Sequence, residues 1–348
     1  MPTNDDLDAA VSAGVLSIDQ AGALAEFLAV RRGSGAAATN ETSADDENVH
    51  FVRGFHDIFM TIGVGLLLSG IALLGTMSGS ALAGALLALA VAWGLAEYLT
   101  GYKRLVLPSI VLVIAISIAA SVVGGSAARL LEMQNALWPV LTSAAMSVGA
   151  VAIFYWRFLL PFAMAVLFAT FIVAVFSVLV VAVPDFTKAN LGLLILLAGG
   201  GSFAAAMWQD LKDPKRRTLR SDNAFWLHLI AAPMIVHALI WLLIGANASD
   251  LQGPREAAIV IGIVAVLSVV AILVDRRALL VSGLAYVGFA LARLVRETEL
   301  SALGVTALTL VILGAGVVAL GSGWHPVRRL LLHTIPAVIG ARLPPAKP

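Results

Sequence analysis

This chain predicts an all-α, polytopic membrane helix bundle of about ten transmembrane helices, preceded by a small N-terminal cytosolic helical hairpin. Three observations carry that expectation. Hydrophobic residues make up 60% of the 348 and charged residues 12%, with a mean hydropathy of +0.96. A water-soluble chain carries about 25% charged residues, so the surplus apolar side chains must face lipid. Apolar runs recur from residue 50 to 324, each near the ~20 residues that cross ~30 Å of hydrocarbon at 1.5 Å per residue. The basic residues, finally, collect on one side when these runs are threaded in turn.

The elements follow in order. The opening, "MPTNDDLDAA", is acidic and lacks the basic stretch and apolar core of a cleaved secretory signal, so the spans themselves are expected to direct insertion. "DDLDAAVSAG" reads as a short helix ended by Gly14. In "SIDQAGALAEFLAVRR", Ser17 followed three positions later by Gln20 makes a capping-box start. Ile18, Ala21, Ala25 and Leu28 then share one helical face. The hairpin of residues 1–32 is too small to hold a core alone, which makes it a candidate docking module for a protein partner. Its charge is acidic on balance, whereas a nucleic-acid recognition helix is basic; no nucleic-acid partner is expected. Residues 33–49, "GSGAAATNETSADDENV", read as a flexible linker.

Residues 50–324 hold the transmembrane bundle, with runs at 57–77, 79–100, 105–124, 138–156, 158–183, 191–209, 224–246, 257–274, 278–295 and 303–324. Pro161 and the "AGGGS" of Ala198–Ser202 interrupt the pattern of the fourth to sixth runs. With the N-terminus in the cytoplasm, 17 of the 22 Lys and Arg fall on the cytoplasmic side and 5 on the other. One missing span would invert every later loop and destroy that ratio. The expected topology is therefore ten spans with both termini cytoplasmic. In the second span Ser80, Gly84, Ala88, Ala92 and Ala96 recur every four residues, a stripe of small side chains that admits a close neighbour. Residues 325–348 read as a basic interfacial tail, with Trp324 at the membrane interface and Arg328 and Arg329 beside Leu330–Leu332 on the inner leaflet. "YKRLVL" at Tyr102 and "DRRALL" at Asp275 echo each other, as do "YWRFLLP" at Tyr155 and "GWHPVRRLL" at Gly323. A parallel repeat produces such echoes, and so do unrelated tight hairpins that place basic residues beside leucine.

The hairpin "LDAAVSAGVLSIDQAGALAEFL" followed by a multi-span body resembles the bacterial predicted membrane proteins grouped as domain of unknown function 2157. Their short helix, Gly-hydrophobic-Ser turn and second helix are carried here by Gly14, Val15, Leu16 and Ser17, with Gln20 and Ala21 behind. The resemblance covers residues 7–28 in motif terms and the rest in general layout. It implies a bacterial inner-membrane protein, and it supplies neither a mechanism nor functional residues.

Candidate chemistry is sparse. With no cysteine, disulfides, thiolate chemistry and cysteine-ligated metals are excluded. Metalloprotease His-Glu pairings, a Gly-x-Ser-x-Gly elbow and a phosphate loop are missing, and no cofactor or metal is expected. The "AGGGS" glycines lack the following Lys of a phosphate loop; close packing or local unwinding explains them better. Ionisable groups in lipid are costly, so the few present stand out. His56, Asp57, Glu97, Asp222, Trp226 and His228 sit at similar depth near the inner face, where they line a cup open to the cytosol or snorkel to water without any ligand. His228 and His237 lie nine residues apart, on opposite helix faces and ~13.5 Å apart along the axis, so they cannot share a metal. His237 lies ~20 Å deep in its span, bonded to a carbonyl or hydroxyl of a neighbouring helix or set in the wall of a solute site. The candidate polar site is thus His237, His228, Trp226, Asp57 and Glu97, with no catalytic group among them. These features favour non-enzymatic sensing, scaffolding or partner docking. The alternative is a small-solute transporter with a midplane site, which requires a polar cavity at that depth.

Overall fold

The computed structural model describes residues 9–25, 55–213, 216–245, 253–296 and 300–333, apart from the side chains of residues 281 and 282. The chain forms two compact units, divided at residue 50.

In the first unit, α1 (described over 9–12) and α2 (described over 18–25) are joined by a turn in which Gly14 takes φ +72°, a left-handed conformation that costs glycine little. Ser17 N–H donates to Gln20 Oε1 at 3.0 Å while Gln20 N–H donates to Ser17 Oγ at 3.2 Å. The capping box is therefore reciprocal, and it fixes where α2 starts. The expected apolar face is only partly realised. Ala21 is buried, but Ile18 is 79% exposed and Val15 73% exposed. Leu28 and the linker 33–49 lie outside the described residues.

Among the described residues, the second unit contains ten helices long and apolar enough to cross a membrane. They are α3 (Phe55–Met77), α4 (Ala81–Ala96, extended by a π-helical segment Glu97–Tyr102), α5 (Val106–Leu130), α6 (Leu137–Phe158), α7 (Pro161–Ala182), α9 (Leu191–Lys212), α10 (Leu219–Leu243), α11 (Pro254–Val274), α12 (Ala278–Arg296) and α13 (Ala302–Ser322). Two short helices complete it, α8 (Pro184–Ala189) between α7 and α9, and α14 (Trp324–His333) after the last span. Among the described residues there is no strand. Every backbone N–H and C=O in lipid must be satisfied within its own segment, which a helix does and an open strand does not.

Two apolar cores organise the bundle. One joins α3 to α7 through Val64, Leu68, Ala92, Ile116, Phe154 and Ala163; the other joins α10, α11, α12 and α14 through Val236, Val260, Ala271, Leu279 and Trp324. α5 and α10 are the most buried spans. Large apolar side chains such as Leu66, Leu74 and Val318 point outward, as lipid-facing groups must.

Small residues set the closest approaches. The stripe in α4 is buried at Gly84, Ala88, Ala92 and Ala96. A Cβ placed on Gly84 would lie 2.5 Å from the Cα of Gly75 in α3. One on Gly124 would lie 2.3 Å from the carbonyl oxygen of Thr142 in α6. The "AGGGS" segment lies in the unbroken helix α9, so local unwinding is not its role. Gly199 instead packs against Met234 and Ile235 of α10, within 3.0 Å of where its Cβ would sit.

Trp324 is buried within the bundle, its indole N–H donating to Asp275 Oδ1 at 2.8 Å. Arg328 is buried with it, its Nε–H donating to the Ile272 carbonyl at 3.1 Å. α14 is therefore fastened to the end of α11 by hydrogen bonds. Residues 334–348 lie outside the described part.

Candidate functional site

Among the described residues, a deeply buried ionic cluster lies where α9 ends, α10 begins and α11 turns into α12. Asp210 of α9, His228 of α10 and Arg276 of the α11–α12 turn are 5%, 0% and 2% exposed. The Asp210 carboxylate accepts from His228 Nε2 at 3.0 Å and from Arg276 Nε at 3.2 Å, and its other oxygen accepts from Arg276 Nη2. Arg276 also donates to the carbonyl and the hydroxyl of Ser221, at 3.1 and 2.9 Å. A buried carboxylate is tolerated only when paired and hydrogen-bonded, and here a bidentate guanidinium and an imidazole do both. His228 Nδ1 has no hydrogen-bond partner, and the ring meets Phe203 edge-on at 5.2 Å.

A second cluster stands beside the first. Asp275, in the left-handed conformation that closes α11 (φ +59°), accepts from Trp324 and pairs with Arg216 at 3.2 Å and Arg328 at 3.8 Å. Asp213 shapes the loop before α10, accepting from the Thr218 hydroxyl at 2.7 Å and from the N–H groups of Thr218 and Arg217. Burial alone would raise the Asp213 carboxyl; the hydrogen bonds from Thr218, Arg217 and Ser221 outweigh it and hold it below its ordinary value.

The residues expected from sequence to form one polar site are each engaged separately. His228 belongs to the Asp210 cluster. Trp226 packs edge-on against Phe162 of α7 at 4.7 Å. Asp57 is buried in the first turn of α3, its carbonyl accepting from Thr61. Glu97 pairs with Arg157 at 3.0 Å across an exposed surface. His237 Nδ1 lies 3.1 Å from the Tyr286 hydroxyl of α12, on the face of α10 away from His228. His56 and Asp222 are exposed. None of these residues lines the three cavities described next.

A cup does exist at the basic end, with other walls. A cavity of about 550 Å³ is lined by Tyr155 of α6, Met164 of α7, Trp208, Gln209 and Lys212 of α9, and Thr218, Leu219, Arg220 and Asn223 at the start of α10. Asn223 Nδ2 donates to the Tyr155 hydroxyl at 2.7 Å, and Lys212 Nζ lies 3.6 Å from the Trp208 ring centroid. A second cavity of about 220 Å³ runs between α5, α6 and α7, lined by hydroxyls of Ser121, Ser143, Ser147, Thr170 and Ser177, with Arg129. At its inner end Ser117 Oγ meets Ser147 Oγ at 2.9 Å and Thr170 Oγ1 at 3.2 Å, roughly 16 Å along α5 from its start at 1.5 Å per residue. The third, about 380 Å³ between α7 and α9, is lined by Phe, Leu, Ile and Val apart from Ser202 and two small residues. Among the described residues, no group of three or more His, Asp or Glu is placed to hold a metal ion.

With that geometry in view, comparison with protein-family models, curated proteins and solved structures finds no match for this chain. The fold and its sites define a multi-pass, all-α membrane protein.

Proposed function

We propose that this chain is a non-enzymatic protein of the bacterial inner membrane, both termini cytoplasmic, whose bundle anchors residues 1–32 as a docking module for a protein partner. One observation carries the reading: the hairpin is well terminated by its reciprocal capping box, yet Val15 and Ile18 are left 73% and 79% exposed. A small unit that is ordered but leaves its apolar side chains uncovered suits a partner surface. Asp210 and His228, which together have the makings of an acid–base pair, are taken up by Arg276 and sealed from solvent, which weighs against an enzyme. The Gly14 turn and the capping box also support membership among the domain of unknown function 2157 proteins, which we retain as part of the proposal. A photo-crosslinking side chain at position 18, in cells, is expected to give one discrete adduct that Val15→Asp abolishes while the bundle stays inserted. No adduct from positions 15, 18 or 24 in a correctly inserted protein would sink the idea.

The hydroxyl-lined cavity favours a second reading, small-solute transport. It reaches mid-depth, carries a cation at Arg129, and offers donors and acceptors without a fixed charge at its inner end. Reconstituted vesicles separate the two: a saturable solute flux lost in Thr170→Val supports transport, and equal flux with and without protein supports docking.

A further inference from the structure

The cavity at the basic end has the chemistry of an anion site. Among the described residues no Asp or Glu lines it, whereas Lys212 and Arg220 stand on its wall. Asp213, the adjacent acid, has its carboxylate committed to Thr218 and Arg217. The Tyr155 oxygen already accepts from Asn223, so its own O–H is left to donate to a ligand. Gln209, buried on the same wall, adds an amide. The cavity also meets the first turn of α10 at Thr218, Leu219 and Arg220, where the helix dipole presents its positive end. Two cations, a phenol donor, an amide and a helix start converge on one space of about 550 Å³, which is ample for a phosphate with its substituent. The placement suits a membrane headgroup: Trp208 is exposed beside the cavity with Lys212 held over its ring, the aromatic-and-cation pairing of an interfacial belt.

We propose that this cavity binds a phosphate group, supplied by an acidic phospholipid headgroup or by the free ion. The proposal is independent of the docking role of residues 1–32, because it rests on α6, α9 and α10 alone.

The test uses the full-length protein. In one arm it is placed in nanodiscs of phosphatidylcholine with and without phosphatidylglycerol, and retained lipid is counted by native mass spectrometry. In the other it is stripped of lipid in detergent, and thermal stabilisation is titrated with inorganic phosphate. Preferential retention of phosphatidylglycerol, or saturable stabilisation by phosphate, is expected for the unaltered protein, and the arm that responds names the source. Lys212→Gln with Arg220→Gln, both exposed, should weaken that binding by roughly tenfold or more, the loss of charge-assisted hydrogen bonds. Tyr155→Phe should weaken it less and leave the bundle folded. Arg255→Gln, exposed in the first turn of α11 at the opposite end of the bundle, should change nothing. The proposal is overturned if neither arm responds, if the double variant binds as the parent does, or if Arg255→Gln weakens binding equally.

Discussion

At the scale of single residues, the bundle's stability at its basic end turns on one charge balance. Asp210 is taken out of water at large cost, and Arg276 with His228 offsets that cost only while both hydrogen-bond it. Arg276→Leu should therefore destabilise the protein by about 3–5 kcal/mol, since it leaves a buried carboxylate without its cation. Adding Asp210→Asn should recover a substantial part, because the stranded charge is removed with its partner. Unfolding titrations in mixed micelles measure both; equal stability of the single variant and the parent would contradict the account. This pairing was not legible in the sequence. Asp210 and Arg276 are 66 residues apart; one directly follows the sixth apolar run and the other stands in a loop, and nothing in either stretch names the other. The readable signal was an acid directly after Gln209 at the end of an apolar run, and it gave no hint of a partner. His237 was legible in kind, as an imidazole seeking a hydroxyl, but Tyr286 was not nameable without the packing of α10 on α12.

At the scale of elements, lipid thickness makes the spans readable, since only runs near 20 residues cross it. The ends are less so. α5 runs on to Leu130, past Gly124 and Gly125 where a terminus had been expected, and α10 starts at Leu219, where the polar Ser221 and Asn223 are buried. Polar and glycine residues at span ends are ambiguous from sequence because burial against a neighbouring helix, not intrinsic propensity, decides their state. The π-helical end of α4 and the short α8 likewise have no periodic signature. Gly124 and Gly149 allow a paired test. Gly124→Ala should push α5 and α6 apart, costing about 1–3 kcal/mol as overpacking does, because its Cβ would fall on Thr142 backbone. Gly149→Ala, in α6 with nothing within 4 Å of the new Cβ, should instead stabilise the helix by up to about 1 kcal/mol through propensity alone. Opposite signs in one thermal-unfolding series support the packing argument, and matching signs refute it.

At the scale of the whole molecule, the connections assigned to one side by their basic residues meet each other through side chains. Glu97, at the end of the second span, pairs with Arg157 at the end of the fourth. Tyr155 on the fourth takes a hydrogen bond from Asn223 at the start of the seventh. Arg216, between the sixth and seventh spans, pairs with Asp275 between the eighth and ninth, and Asp275 holds Trp324 after the tenth. Those contacts require the five chain segments to share one end of the bundle, so the alternation read from 17 basic residues against 5 and the hydrogen bonds agree independently. The absolute side remains a proposal, drawn from the preference of basic loops for the cytoplasm. Reporter fusions after residue 50 and after residue 333 should both report the cytoplasm, and a fusion in the loop between α5 and α6, residues 131–136, should report the opposite side. A terminus found outside would invert the membrane and turn the basic cavity toward the outer leaflet. Termini on different sides would place an odd number of spans before Glu97, because Glu97–Arg157, Tyr155–Asn223, Arg216–Asp275 and Asp275–Trp324 each enclose two spans and hold every later segment at one end.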